Sequence, residues 1–323
     1  MSAIHSAEGG MAVRYRISHH TQYDYQLPVS LSQQLLHLQP RALPWQQIHT
    51  AHIHCKPEPQ QRSAALDAFG NPALWLDIRQ PHQQLELSAE LDISVLPRTL
   101  PNFLLSPNWQ DVVERCRFRG VALAHPQQLD ALAFRQESPY VRIKHDFARF
   151  AAPCFGADTS LLTGVNALML KIYNEFEFDS DATDVGTPLL TVLEQRRGVC
   201  QDFAHLMIAC LRSLGLPARY VSGYLLTEPP EGQPRLIGAD ASHAWISVWC
   251  PQFGWVDFDP TNGVLPDQQH ITLAWGRDFS DVSPLRGVII GGGEHTLEVS
   301  VTVMPVISGG QSQSQHQGQS QSQ

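Results

Sequence analysis

The chain has 323 residues, 43% hydrophobic and 16% charged, and its 22 Lys+Arg against 31 Asp+Glu leave a formal net charge of −9. A length of this order corresponds to about two domains, and this much apolar material excludes global disorder, which requires few apolar residues and a high net charge. The negative balance argues against nucleic acid as a partner, because that affinity rests on neutralising phosphates with Lys and Arg.

The densest basic cluster, Arg115, Arg117 and Arg119, follows Asp111 and Glu114 closely and reads as a solvated face. No apolar run reaches the roughly 18 residues of a membrane-spanning helix. Residues 1–10 have neither the basic nor the apolar region of a secretory signal, and residues 1–11 read as an N-terminal extension. Cys55, Cys116, Cys154, Cys200, Cys210 and Cys250 are scattered without CxxC pairs. That usage predicts reduced thiols and a cytoplasmic protein.

Residues 12–98 read as a β-rich domain. Alternation predicts strands at 13–17, 48–55, 74–78 and 85–95, with the turn signal Phe69-Gly70-Asn71-Pro72 ahead of the third. Short strands parted by turn residues predict an antiparallel sandwich. Pro97, Pro101 and Pro107 interrupt further pairing, and residues 99–159 read as a linker and helical connection.

A compact helical run spans 164–173, and another spans 188–195 with Thr187 as its predicted N-cap. Phe203, Leu206, Met207, Cys210, Leu211 and Leu214 then form an apolar stripe at helical spacing, ending at Gly215 and Pro217. Strands are predicted at 219–226, 243–249 and 255–259, then at 287–290 and 297–303. The catalytic core is therefore placed at 160–305, with these last strands included. The Gln/Ser-rich tail, 306–323, cannot bury a core and is predicted to be disordered.

The chemistry centres on Cys200, which follows Gly198-Val199 and opens the amphipathic helix. A thiol at a helix N-terminus meets free N–H groups and the positive end of the macrodipole, which favour thiolate and can hold an oxyanion. His243 opens an alternating strand, and the turn at 251–255 returns the chain to Asp259. In such a hairpin the start of one strand faces the end of the next, so His243 and Asp259 are expected to be neighbours. A carboxylate beside an imidazole fixes its tautomer and supports the imidazolium.

These residues stand in longer strings. Arg196-Arg197-Gly198-Val199-Cys200-Gln201-Asp202-Phe203-Ala204-His205 is followed by Leu211-Arg212-Ser213-Leu214-Gly215-Leu216-Pro217-Ala218-Arg219-Tyr220-Val221-Ser222-Gly223-Tyr224. Ser242-His243-Ala244-Trp245, Gly254-Trp255 and Asp259-Pro260-Thr261-Asn262 then follow in order. Over residues 160–265 this pattern resembles the transglutaminase-like superfamily, and residues 12–98 resemble the N-terminal domain found before this core in bacterial members.

The resemblance implies an α+β protein with a papain-like cysteine catalytic core, its Cys-bearing helix packed on an antiparallel sheet, preceded by a β-sandwich domain. It assigns Cys200 as nucleophile, His243 as general base and acid, and Asp259 as orienter. Asp257 is a nearby rival, and Asp259 occupies the Asp-Pro-Thr position. His205, five residues after Cys200, is expected to support the helix, while Gln201 and Asp202 belong to the motif without an assigned role. Animal-type transglutaminases are similar but carry a Trp upstream of the Cys to bind the oxyanion; here no Trp lies between Trp109 and Trp245.

Metal sites are not expected. His52 and His54 share one strand face while Cys55 takes the other, and Asp179, Asp181 and Asp184 lack the Gly and final Glu of an EF-hand loop. No GxSxG, HExxH or P-loop string is present. The sequence thus predicts a cofactor-free, cysteine-dependent acyl-transfer enzyme acting on peptide or protein amides, with no membrane partner. Hydrolysis is preferred; amine transfer and a non-catalytic peptide-binding module are the alternatives.

Overall fold

The structure is a computed structural model that describes residues 10–117, 126–227 and 242–306. Most of the N-terminal extension, Arg119 of the basic cluster and the tail beyond residue 306 lie outside the described residues.

Five strands come first: β1 (Val13–Leu36), β2 (Gln46–Lys56), β3 (Gln61–Leu66), β4 (Pro72–Ile78) and β5 (His82–Val95). Alternation is their cause. Along β5, Leu85, Leu87, Ala89, Leu91, Ile93 and Val95 are buried, while the residues between them stay at least partly exposed. Strand β1 runs 24 residues, far beyond the alternating segment at 13–17. Its first half pairs with β5 and with β13 (His295–Pro305), its second half with β4 and β12 (Leu285–Gly291). The register with β5 shifts between Asp24 and Val29, a stretch containing Pro28, which has no N–H to give a ladder. The resulting seven-stranded antiparallel sheet curls around its own core.

One sequence expectation is corrected here. The last two strands were expected within the 160–305 core, yet β12 and β13 both hydrogen-bond to β1. Alternation reveals that a segment is a strand; it does not reveal which edge the strand takes.

The helical part contains α1 (Trp109–Arg115), α2 (Pro126–Ala133), α3 (His145–Ala151), α4 (Leu161–Glu175), α5 (Leu189–Gln195) and α6 (Cys200–Ser213). The N-cap of α5 is Pro188, one residue after the predicted Thr187; the Thr187 hydroxyl donates to Asp184 Oδ1 at 3.1 Å instead. Helix α6 is buried continuously from Asp202 to Arg212, as expected of a helix enclosed on all sides. Its buried Arg212 is matched by acceptors: Nε and Nη2 donate to Ala218 O, Nη1 to Gln136 O and Ser138 Oγ, and Nη2 also to Arg277 O. Gly215, at φ +86°, then allows the chain to leave the helix.

A second antiparallel sheet holds β8 (Ala218–Leu225), β9 (Ser242–Cys250), β10 (Gly254–Phe258) and β11 (His270–Gly276) in the order β10-β9-β8-β11. Helix α6 packs on β8 and β9. A short helix α7 (Phe279–Val282) follows β11. Two side-chain amides from the first domain clip the outer edge of β11. Gln46 donates to Thr272 O and accepts from Thr272 N, both at 2.8 Å; Asn71 donates to Trp275 O at 2.8 Å and accepts from Trp275 N at 2.9 Å. Each amide stands in for a neighbouring strand, satisfying polar groups that an edge leaves open. Both residues are fully buried, and nearby the Arg219 guanidinium is sandwiched between Trp255 and Trp275.

Gly223 sits where this sheet is tightest. It is paired with His243, and a Cβ there would lie 2.1 Å from Ile271 O and 2.5 Å from the Trp245 ring. Because one of those atoms is backbone, Gly223→Ala must push β8 and β11 apart. We expect a stability loss of about 1–3 kcal/mol, measured by urea unfolding; an unchanged midpoint would contradict this packing.

Candidate active site

Cys200 is placed by the residues just ahead of it. Strands β6 (Glu177–Phe178) and β7 (Arg197–Gly198) pair in parallel, fixing the approach to α6. Val199 is the extended N-cap, and Cys200 is the first helical residue. The Asp202 carboxylate folds back to accept the Val199 N–H at 2.9 Å and the Thr183 hydroxyl at 2.6 Å. A Cβ on residue 198 would fall 2.7 Å from Asp202 Oδ2, so only glycine leaves room for this cap. Burial raises the Asp202 pKa against the pull of those two hydrogen bonds. Asp202 thus shapes the turn that presents Cys200, a role the motif alone did not disclose.

All six cysteines are free, and Cys200 is only half-buried. Burial pushes the other five thiols above their ordinary range, Cys55 and Cys116 to about 11.

His243 lies near the start of β9. Its Nε2 lies 2.8 Å from Asp259 Oδ2, and the Cys200 thiol is near enough to the ring to help raise its pKa. With Nε2 committed to Asp259, Nδ1 is the nitrogen left to serve the thiol. The pairing of β9 with β10 ends at Ile246↔Phe258, which leaves Asp259 one step further on, diagonal to His243. The expected hairpin proximity is therefore present. Asp257, the rival carboxylate, is engaged elsewhere: Arg98 Nη1 donates to it at 2.7 Å and Trp245 Nε1 at 3.2 Å.

Asp259 is fully buried and richly solvated by protein. Its Oδ1 accepts from the backbone N–H of Thr261 at 2.9 Å and Asn262 at 3.3 Å. Its Oδ2 faces His243, the Asn262 amide at 2.7 Å and His270 Nε2 at 3.1 Å. The Asp-Pro-Thr-Asn string is thus a turn capped by its own first side chain. Gly263 completes it at φ +66°, where a Cβ would strike the Tyr173 ring. His270 and the Asn262 side chain are the members that sequence reasoning left out. Asn262 stood within a quoted motif, whereas His270 carries no local signal because its strand position depends on tertiary pairing.

The charges follow from this geometry. Burial opposes a protonated His243, but the bonds and charges of Asp259 and Cys200 outweigh it and raise its pKa to about 10. Burial likewise opposes an ionised Asp259, and the two imidazoles reverse that, holding its pKa below the usual carboxylate range. The raised value means that His243 stabilises the fold fully below its ordinary 6.5, progressively less between 6.5 and 10, and not at all above about 10. We therefore expect the melting-temperature gap between wild type and His243→Gln to be widest below pH 6.5 and to close by about pH 10. A gap that widens toward alkaline pH would contradict the assigned charge.

The remaining candidates lie apart. His205 is buried in α6, stacks on Tyr140 and accepts the Phe279 N–H at 3.1 Å, with its pKa lowered to about 4 by burial. It ties α6 to α7, in keeping with a supporting role. His52 and His54 are exposed on β2 while Cys55 is buried on its other face. The Asp179 and Asp184 carboxylates accept N–H groups from their own loop. Among the described residues, His243, Asp259 and His270 bring metal-ligand atoms within 4.8 Å of one another. Since Oδ2 already has three donors, a hydrogen-bond network accounts for that cluster.

The sequence and the fold have relatives. A family profile described as the transglutaminase-like superfamily matches residues 148–260, and one described as the bacterial transglutaminase-like N-terminal region matches residues 15–94. Uncharacterized proteins of Mycobacterium bovis and Mycobacterium tuberculosis are 39% identical over 297 residues, 90% of this chain and 93% of theirs. A protein-glutamine gamma-glutamyltransferase of Pseudomonas aeruginosa is 38% identical over 103 residues, covering 29% of this chain and 15% of that protein. The crystal structure of a candidate cysteine protease from Cytophaga hutchinsonii is similar in fold, with a TM-score of 0.70 and 20% identity over 94% of each chain.

Proposed function

The chain belongs to the transglutaminase-like superfamily, and from that premise we propose that it is a cysteine-dependent hydrolase of peptide or protein amides. Cys200 is the nucleophile, His243 the proton carrier and Asp259 the orienter. The observation that carries the proposal is the position of the His243 ring, bonded to Asp259 at 2.8 Å and near enough to the Cys200 thiol for the two charges to interact.

In the first step the Cys200 thiolate attacks the substrate carbonyl carbon. The oxygen takes up the negative charge, facing the Cys200 N–H and the other free amides at the start of α6. Collapse breaks the C–N bond, and the His243 imidazolium gives its proton to the departing amine or ammonia. This leaves a thioester on Cys200. Neutral His243 then takes a proton from water as the oxygen attacks, releasing the carboxylic acid and restoring the thiolate–imidazolium pair. Asp259 keeps the ring in one tautomer and orientation throughout, and the cycle requires no metal or cofactor.

We favour water as acceptor because the tryptophans on the His243 strand are packed within the protein, Trp245 0% exposed and Trp249 6%, as core residues are. The second reading, transfer to an amine, draws on the likeness to the glutamyltransferase over part of the core. Incubation with a glutamine-containing peptide, a fluorescent primary amine and excess EDTA separates them. Ammonia release or peptide cleavage without label incorporation supports hydrolysis. Efficient incorporation favours transfer, and dependence on added calcium would contradict the metal-free cycle.

A further inference from the structure

His270 lies 11 residues beyond Asp259 at the start of β11, and its ring is buried. Its Nε2 is 3.1 Å from Asp259 Oδ2, the same oxygen that faces His243, while its Nδ1 is buried without a partner. Trp245 meets it edge-on at 5.3 Å. A protonated ring would bury an N–H with no acceptor, at a cost that such sites avoid. The ring is therefore neutral, with its one proton on Nε2, and burial accordingly holds its pKa below the ordinary value.

We propose that His270 is a positioning residue for Asp259, a neutral donor that pins Oδ2 in line with His243 Nε2, and that Gln46 of the first domain fixes its place. The proposal rests on the triad reading given above. A carboxylate can rotate about its own axis and can drift toward the protonated form; a second imidazole N–H on the same oxygen opposes both. It keeps the Nε2 proton on His243, so the ring stays an imidazolium able to give its Nδ1 proton to the leaving group. His270 in turn has little freedom. Its N–H bonds Asp267 O at 2.9 Å, it pairs with Leu225 of β8, and two residues later Gln46 grips both backbone groups of Thr272. The first domain thereby reaches the catalytic hairpin through β11.

The test compares full-length wild type, His270→Gln and His270→Leu, with Cys200→Ala as the blank. Glutamine carries an amide nitrogen to about the reach of the imidazole Nε2, whereas leucine fills the space without a donor. The probe is iodoacetamide at neutral pH, with alkylation of Cys200 followed by peptide mass mapping and each melting temperature recorded. Loss of one charge-assisted hydrogen bond predicts Cys200 alkylation slowed about 10- to 100-fold in His270→Leu, while His270→Gln stays close to wild type. Equal slowing in both variants, following their melting temperatures, would show a space-filling role and overturn the proposal. So would His270→Leu reacting at the wild-type rate while wild-type Cys200 outpaces the other thiols. A wild-type Cys200 that reacts no faster than the other five thiols would overturn the triad reading itself, and His270 would then have nothing to position.

Discussion

Cys200→Ala is expected to reduce amide turnover to background, a loss of about 10⁴-fold or more. The residue supplies the only bond to the acyl group, so no neighbouring group can substitute for it. The other five cysteines are intermediate or buried and have thiol pKa values raised by burial. His243→Ala should cost nearly as much, because the thiolate would lose its counter-ion and the leaving group its proton. The two losses should not add: once Cys200 is gone, removing His243 has no nucleophile left to impair. Kinetics of both single variants and the double variant on one peptide substrate check this. Independent, additive losses would mean that the two residues do not act as a unit.

Asp259→Asn should lower turnover by about 10³- to 10⁴-fold while leaving the protein folded. An amide at this position can present its NH₂ to His243 and stabilise the wrong tautomer. Asp257→Asn makes the informative contrast. Its carboxylate is paired with Arg98, both side chains being only 11% exposed, so its loss strands a buried guanidinium and should cost about 2–4 kcal/mol of stability. The folded fraction should turn over close to the wild-type rate. Denaturant titration alongside kcat distinguishes the two carboxylates, and a greater rate loss in Asp257→Asn would reverse their roles.

The site was largely legible in the sequence because its parts are local. A cysteine after Gly198-Val199 at the head of an apolar stripe specifies a helix N-terminus, and a histidine and an aspartate flanking a tight turn specify a hairpin pair. Both follow from periodicity over a dozen residues, and the same periodicity located α4, α6, β8, β9 and β10 closely. What escaped is non-local. His270 reaches Asp259 because β11 pairs with β8 across a long excursion of the chain, and nothing near residue 270 announces it.

The same reason explains β12 and β13. Their apolar, β-branched residues mark them as strands, but their partner, β1, lies about 250 residues or more earlier in the chain. It also explains Gln46, which no pattern in the sequence singles out, and Asn71, which the sequence marks only as part of a turn; both are buried clips on β11. Their meaning depends on an edge strand contributed by the other domain. The shift of the α5 cap from Thr187 to Pro188 is a smaller case: Thr187 has a better use in the turn made by Asp184.

The central claim is that the reaction passes through a thioester on Cys200. Acid quenching during steady-state turnover of a peptide amide, followed by intact mass and peptide mapping, tests it most directly. A mass increase equal to the acyl portion of the substrate, located on Cys200 and absent from Cys200→Ala, is the predicted result. Sustained turnover with no adduct in Asp259→Asn, where hydrolysis of the intermediate should be slowed, or an adduct on any other residue, would contradict it.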